Sequence, residues 1–256
     1  MQLVNIKNII KDDVMFDEYY KRLRTNIIFS GANVSSIVVT STGRGEGKTE
    51  VSFNMATALA KSGKKVMFID ADLRNSNLGR KLMVTTTAYG LSHYLTGNAT
   101  LDDVVCKTDI DNFYMILSGP VSPNPVELLE SERFDTMLRD IERRVFDYII
   151  IDSTPVGAFV DPVVITKKCD GVVLVAAQGE VSYKELSAVK RQFEQVGCKI
   201  LGAVFNKQDD LKNEYNKYSK DRQRKKNYEY IKQKVYKTLS AIGDKAMDIR
   251  DDYKHR

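Results

Sequence analysis

Three cysteines in 256 residues leave this chain without the paired spacing that a disulfide framework or a zinc site requires. Cys106, Cys169 and Cys198 lie far apart, and none belongs to a Cys-x-x-Cys pair. The two histidines, His93 and His255, also lie far apart in the sequence. We therefore expect the cysteines to be small buried hydrophobic residues and do not expect a metal centre built from Cys or His.

Long apolar runs are also absent. The longest, such as residues 170–177, fall far short of the ~20 residues that cross a bilayer. The first residues lack the basic start and apolar stretch of a secretory signal. Because 43% of the residues are apolar, the chain can still bury a sizeable core, which excludes global disorder. These features predict a cytoplasmic protein.

The net positive charge of the chain comes from its last fifty residues. Residues 207–256 contain 15 Lys and Arg against 9 Asp and Glu, a net charge of +6, whereas the whole chain carries only +5. A neutral body with a basic tail favours contact between the tail and an acidic surface, such as an anionic membrane. We predict no nucleic-acid partner.

Short apolar runs alternate with amphipathic helical patterns along the body of the chain. The runs that we interpret as buried strands cover residues 36–40, 65–70, 148–152, 171–176 and 200–205. Continuously apolar strands separated by helices indicate an α/β fold, with a mostly parallel sheet covered by helices on both faces. In such a sheet, ligands bind at the carboxyl ends of the strands. Three of the strands end in Asp70, Asp152 and Asn206, so these side chains should converge on one edge.

The strand at residues 36–40 runs into a glycine-rich turn, Thr42–Thr49, which fits a phosphate-binding loop except that Thr42 replaces the usual Gly or Ala. The glycines allow backbone N–H groups to surround an anion next to a helix N-terminus. Lys48 supplies a charge to the phosphates, and the Thr49 hydroxyl is a ligand for Mg²⁺. The residues expected to contact nucleotide here are Thr42, Gly43, Arg44, Gly45, Glu46, Gly47, Lys48 and Thr49.

Acidic residues follow two of the other strands. Asp70 and Asp72 lie two residues apart just beyond a buried strand, and Arg74 comes next in the same segment. Asp152 ends a run of three isoleucines, with Pro155 three residues later. Because Mg²⁺ keeps several waters, we expect these acids to act on it partly through water.

Together these motifs resemble those of the bacterial tyrosine kinases of capsule and exopolysaccharide systems. That family carries a Walker A motif, an acidic Walker A′ motif and a Walker B motif, which correspond here to Thr42–Thr49, Phe68–Arg74 and Ile149–Pro155. The similarity extends over roughly residues 15–207, and supporting segments match at residues 18–26, 90–97 and 119–129. The resemblance implies a P-loop NTPase fold of the MinD/ParA-like superfamily.

The resemblance also implies roles for individual residues in an ATP- and Mg²⁺-dependent tyrosine kinase. Lys48, Asp70 and Asp72 would be catalytic, and Asp70 would accept the tyrosine proton or steer the hydroxyl. Asp72 and Asp152 would organise the metal together with the Thr49 hydroxyl, and Asn206 would recognise adenine. Residues 1–206 would then form the kinase domain.

Residues 1–34 would be a helical extension of that domain, used for ring-like self-association. Glu18, Lys21 and Arg24 stand where the family carries Glu-x-x-Arg-x-x-Arg, although Lys21 lacks the bidentate fork of Arg. These positions share one face of a helix, so a solvated helix with an internal ion pair is the alternative interpretation.

The basic tail, residues 207–256, corresponds to the segment in which the family carries a tyrosine cluster that neighbouring subunits phosphorylate in trans. The candidate phosphoacceptors are Tyr215, Tyr218, Tyr228 and Tyr230, of which the first two lie in the more polar stretch. Apolar residues recur at helical spacing over residues 228–242, between basic residues. This pattern predicts a partly helical tail that docks on a partner or on anionic lipid, or alternatively packs on its own domain.

The predicted function is autophosphorylation that regulates polysaccharide synthesis and export. A membrane adaptor of the polysaccharide co-polymerase type would activate the kinase and hold it at the inner face of the membrane. Two alternatives remain open: a nucleotide-bound scaffold without kinase activity, and a regulatory ATPase of the MinD/ParA type. The latter normally carries an extra lysine where this chain has Gly43. Glu50 also departs from the family pattern by adding negative charge near the expected metal.

Overall fold

The computed structural model of the chain describes residues 2–6, 14–31, 33–82 and 89–207. The strands are β1 (Gln2–Val4), β2 (Ser36–Ser41), β3 (Val66–Asp70), β4 (Val105–Thr108), β5 (Phe113–Ile116), β6 (Tyr148–Asp152), β7 (Gly171–Ala177) and β8 (Ile200–Asn206). The helices are α1 (Val14–Phe29), α2 (Lys48–Lys61), α3 (Leu78–Lys81), α4 (Leu91–Leu95), α5 (Leu101–Val104), α6 (Pro125–Glu130), α7 (Glu132–Arg143), α8 (Asp161–Thr166) and α9 (Tyr183–Gln195). Within these residues, none of the helices combines the length and apolarity that a membrane span requires.

The strands form one sheet in the order β1-β4-β5-β3-β6-β2-β7-β8. All pairs are parallel except β4 with β5, which confirms the predicted mostly parallel sheet. The five predicted strands correspond to β2, β3, β6, β7 and β8, with ends displaced by one residue at most. These five strands bring the P-loop and the three polar strand ends to the same edge.

Two hydrophobic cores lie on opposite faces of the sheet, as predicted for helices on both sides. The alternation of β6 shows the division, because Ile150 belongs to one core and Ile149 and Ile151 to the other. Helices α1 and α2 cover the first face, whereas α7 and α9 contribute to the second. The strands are therefore buried on both sides, which is why they are continuously apolar.

Glycine ends the helix that follows the P-loop. The last residue of α2 is Lys61, and Gly63 has a φ of 88°, in the left-handed region that favours glycine. Its backbone N–H donates to the Ala60 carbonyl and closes the helix. The chain then enters β3 at Val66, and Asp72, just after β3, lies near Lys48 of the P-loop.

Three short strands were not predicted. β4 and β5 contain four residues each and pair antiparallel, and the turn that joins them includes Asn112 at φ 61°. β1 pairs with β4 at the edge of the sheet. The segment predicted as a helical extension therefore contains a strand of the main sheet as well as α1.

Candidate active site

The P-loop connects β2 to α2 and is held from the other side by the end of β8. The Asn206 Nδ2 atom donates a hydrogen bond to the Glu46 carbonyl at 2.8 Å. A Cβ atom on Gly47 would lie 2.1 Å from the same Nδ2, and Gly47 has a φ of 87°, so only glycine fits this position. Asn206 thus contacts the loop backbone, and its role in recognising adenine stays a prediction.

The Glu46 side chain folds back into the loop, which the sequence did not indicate. Glu46 is only 2% exposed, and its carboxylate accepts hydrogen bonds from the Gly43 N–H, from the Thr42 hydroxyl at 2.5 Å and from the Ala177 N–H at 3.3 Å. Thr42, the residue that departs from the usual motif, therefore has a specific partner. The carboxylate ties the first turn of the loop to β7.

Substitution of Glu46 should loosen this loop. We expect Glu46→Ala to raise the dissociation constant of Mg·ADP by about tenfold, because the Thr42 hydroxyl and the Gly43 and Ala177 N–H groups lose their acceptor. Glu46→Gln retains an acceptor oxygen and should have a smaller effect. Isothermal titration calorimetry measures both, with Glu50→Ala as the matched control. Glu50 is an exposed acid in the first turn of α2, so its removal should leave the affinity equal or stronger. Equal affinities for Glu46→Ala and the wild type would show that the carboxylate does not shape the loop.

The lysine of the loop faces two of the predicted acids. The Lys48 Nζ atom lies 3.7 Å from Asp72 Oδ2, 3.8 Å from Asp152 Oδ2 and 3.3 Å from the Thr49 hydroxyl. Asp70 and Asp152 are direct neighbours at the ends of β3 and β6. The structure thus places the three polar residues at the strand ends, Asp70, Asp152 and Asn206, around the P-loop, as the sequence predicted.

Asp70 is a buried acid of the site with a raised pKa. It is 1% exposed, and burial followed by the charge of Asp152 raises its pKa to about 7, while a hydrogen bond from the Ser76 hydroxyl opposes the shift. The Asp72 N–H donates to its other oxygen at 3.3 Å. A carboxyl group with a pKa near neutrality is suited to accept a proton in a reaction at physiological pH.

Asp152 provides a test of whether the site fits Mg²⁺. Burial raises its pKa, against the nearby charge of Lys48, and its Oδ1 atom has no hydrogen-bond partner among the described residues. Thr49, Asp72 and Asp152 present the oxygen donors that Mg²⁺ prefers. Across the described ranges, however, no three acidic, His or Cys side chains are close enough to hold a metal by themselves. The site therefore fits a Mg²⁺ ion that arrives with nucleotide phosphates and keeps several waters.

The remaining predicted residues lie away from this edge or beyond the described chain. On α1, Lys21 pairs with Glu18 at 3.8 Å, and both side chains are exposed, while Arg24 is half-buried. Self-association through these three residues stays a prediction. The candidate phosphoacceptors Tyr215, Tyr218, Tyr228 and Tyr230 lie outside the described residues, which end at Lys207.

Sequence comparison finds a matching family profile and similar tyrosine-protein kinases from other bacteria. The profile of a family described as AAA domain matches residues 34–208. The tyrosine-protein kinase CpsD of Streptococcus pneumoniae is 43% identical over 202 residues, which cover 79% of this chain and 88% of that protein. Tyrosine-protein kinase YwqD of Bacillus subtilis is 32% identical over 191 residues, covering 74% of this chain and 80% of its relative.

Solved structures of similar proteins include a tyrosine kinase domain. The kinase domain of Escherichia coli tyrosine kinase ETK superposes with a TM-score of 0.69 and is 32% identical, and the match covers 80% of each chain. The chimerical protein CapA2B2 has a TM-score of 0.73 at 28% identity, covering 82% of this chain and 95% of the other. The septum site-determining protein MinD of Pyrococcus horikoshii, complexed with Mg-ADP, has a TM-score of 0.59 at 21% identity, covering 80% and 86%. This last similarity shows a common fold.

Proposed function

Because this chain belongs to the bacterial tyrosine-protein kinases, we propose that it uses Mg·ATP to phosphorylate tyrosines in the C-terminal tail of a neighbouring copy. The observation that carries the proposal is the position of the Lys48 amine, within 4 Å of both Asp72 and Asp152 and beside the buried Asp70. This geometry joins a cation for phosphate to a carboxyl group that can accept a proton.

In the proposed reaction, the tyrosine hydroxyl oxygen forms a bond to the γ-phosphorus of ATP while the bond between that phosphorus and the β–γ bridging oxygen breaks. ADP leaves with the bridging oxygen, and the hydroxyl proton passes to Asp70. A tyrosine hydroxyl has a pKa of about 10, so a nearby base is needed near neutral pH. Lys48 and the loop N–H groups bind the phosphates. Thr49, Asp72 and Asp152 would hold Mg²⁺, which would supply positive charge next to the phosphate oxygens.

We also propose that a membrane adaptor of the polysaccharide co-polymerase type activates the kinase and recruits it to the inner face of the membrane. Phosphorylation would then regulate capsule or exopolysaccharide synthesis and export. The basic tail supports this location, because its net charge of +6 favours an anionic surface. The ring-like self-association proposed for α1 would place the tail of one copy near the site of the next.

Mass spectrometry of the full chain tests the kinase proposal directly. The chain is incubated with Mg·ATP and the cytoplasmic end of the adaptor, and we expect phosphotyrosine in residues 207–256, first at Tyr215 and Tyr218. A variant with both of these tyrosines changed to Phe should be labelled more slowly, and only at the remaining sites. An unlabelled tail beside an active control kinase would refute the proposal.

The same experiment separates the two alternative functions. Release of ADP without phosphotyrosine would indicate a regulatory ATPase, and tight retention of nucleotide with neither product would indicate a scaffold. The P-loop argues against the MinD/ParA type, because Gly43 occupies the place of its extra lysine and donates its N–H to Glu46.

A further inference from the structure

The arginine that ends the acidic motif after β3 makes a bidentate ion pair with another part of the chain. Arg74 Nε donates to Asp161 Oδ2 at 2.7 Å, and Nη2 donates to Oδ1 at 2.9 Å. Asp161 is the first residue of α8, is 0% exposed, and also accepts a hydrogen bond from the Thr154 hydroxyl at 3.2 Å. A bidentate pair of this kind fixes the orientation of both groups.

The backbone of Arg74 in turn orients the carboxylate of Asp72. The Arg74 N–H donates to Asp72 Oδ1 at 3.2 Å, and the Asn75 N–H donates to the same oxygen at 2.9 Å. The other oxygen, Oδ2, faces Lys48 Nζ at 3.7 Å. Because the side chain of Arg74 is anchored at Asp161, the backbone N–H groups that hold Asp72 are anchored as well.

The segment before α8 makes a second contact with the same loops. The half-buried ring of Phe159 lies 4.5 Å from the Arg74 guanidinium carbon and 5.5 Å from that of Arg44 in the P-loop. Both distances are within the range of cation–π attraction. The segment from Phe159 to Asp161 therefore connects the acidic loop after β3 to the P-loop.

We propose that Arg74 and Asp161 form a positioning pair, which sets the Asp72 carboxylate for the Mg²⁺ that enters with the nucleotide. Both bonds of the Arg74 fork are used by a buried carboxylate, so the pair carries no net charge to offer a phosphate. The inference rests on the proposed function for its catalytic consequence, but its effect on nucleotide binding is measurable without kinase activity.

Arg74→Lys, Asp161→Asn and the double variant test the pair in the full chain. Lys keeps the charge but loses the fork, and Asn keeps the shape of Asp but loses the charge. We expect each single variant to weaken Mg·ADP binding by about tenfold, as measured by calorimetry. Binding of ADP in EDTA should stay within about twofold of wild type. The double variant should bind Mg·ADP about as tightly as the single variant with the lower affinity, because both substitutions disrupt the same contact.

Two results would overturn the inference. If Arg74 contacts phosphate, Arg74→Lys weakens ADP binding in EDTA as much as with Mg²⁺, and Asp161→Asn has no matching effect. If the pair only stabilises the fold, both affinities fall together with the unfolding temperature. Arg143→Lys and Asp140→Asn are matched controls, since that pair lies on α7 at 3.4 Å with an exposed Arg143 and a half-buried Asp140. A wild-type chain that labels no tyrosine while the variants lose only Mg²⁺-dependent binding would refute the proposed function and retain the pair.

Discussion

Lys48→Met should lower the rate of tyrosine phosphorylation by about a thousandfold. The Lys48 amine lies on the loop that is expected to bind the phosphates and within 4 Å of Asp72 and Asp152. Methionine has a similar length but no charge, so the phosphate oxygens would face these acids without compensation. Charge that develops on the phosphoryl group would be stabilised less in the transition state than before.

The measurement is the initial rate of phosphotyrosine formation with the adaptor and saturating Mg·ATP. Lys64→Met is the matched control, because Lys64 is half-buried, lies before β3 and pairs with Asp147 at 3.7 Å. That variant should keep the wild-type rate. Circular dichroism establishes that both variants are folded. A Lys48→Met rate within threefold of wild type would show that the phosphates bind elsewhere.

The sequence predicted the strands that have long, continuous runs of apolar residues. β7 has seven buried residues in succession, and β6 and β3 have five each, which distinguishes buried strands from amphipathic helices. β4 and β5 have only four residues, too few to separate the period of a strand from that of a helix. β1 has three and becomes a strand only by pairing with β4, about a hundred residues away.

The candidate site also has features that the sequence predicted and features that it did not. Lys48 and the acids at the strand ends were predictable, because the chain direction of parallel strands brings their carboxyl ends to one edge. The bond between Arg74 and Asp161 was not, since the two residues are 87 positions apart and only the packed structure selects the pair. The contact of Glu46 with nucleotide stays a prediction, but nothing in the sequence indicated that its carboxylate is directed at Thr42 and Gly43. No spacing rule signals that a loop residue folds inward.

Asp70→Asn should abolish most activity and at the same time stabilise the protein in the absence of nucleotide. The variant removes the proposed proton acceptor, so we expect the phosphorylation rate to fall by about 10²–10⁴-fold. In the folded protein, burial and then the charge of Asp152 raise the pKa of Asp70 from 3.8 to about 7. The ionised Asp70 carboxylate is therefore less stable in the folded protein than in the unfolded chain, which lowers the free energy of unfolding. Asparagine cannot ionise, so the substitution removes this loss of stability.

Because the pKa of Asp70 is raised in the folded protein, the stability gained by Asp70→Asn should increase with pH. Below about pH 4 the carboxyl group is protonated in both states, so Asp70 has no electrostatic cost. As the pH rises, the unfolded chain ionises first, and the cost grows until the folded state ionises near pH 7. The gain in unfolding free energy from Asp70→Asn should thus be smaller at pH 5 than at pH 8, where we expect on the order of 2–4 kcal/mol.

Urea unfolding in EDTA at these two pH values measures the gain. Asp103→Asn is a control of opposite sign, because hydrogen bonds from the Thr100 hydroxyl and N–H lower the pKa of Asp103 at the start of α5. That substitution should destabilise the protein at pH 8 and leave catalysis unchanged. If Asp70→Asn destabilises the protein at both pH values, Asp70 is an ordinary structural acid held by Ser76. A gain that grows with pH, together with lost activity, would identify a base that the fold maintains at the expense of its own stability.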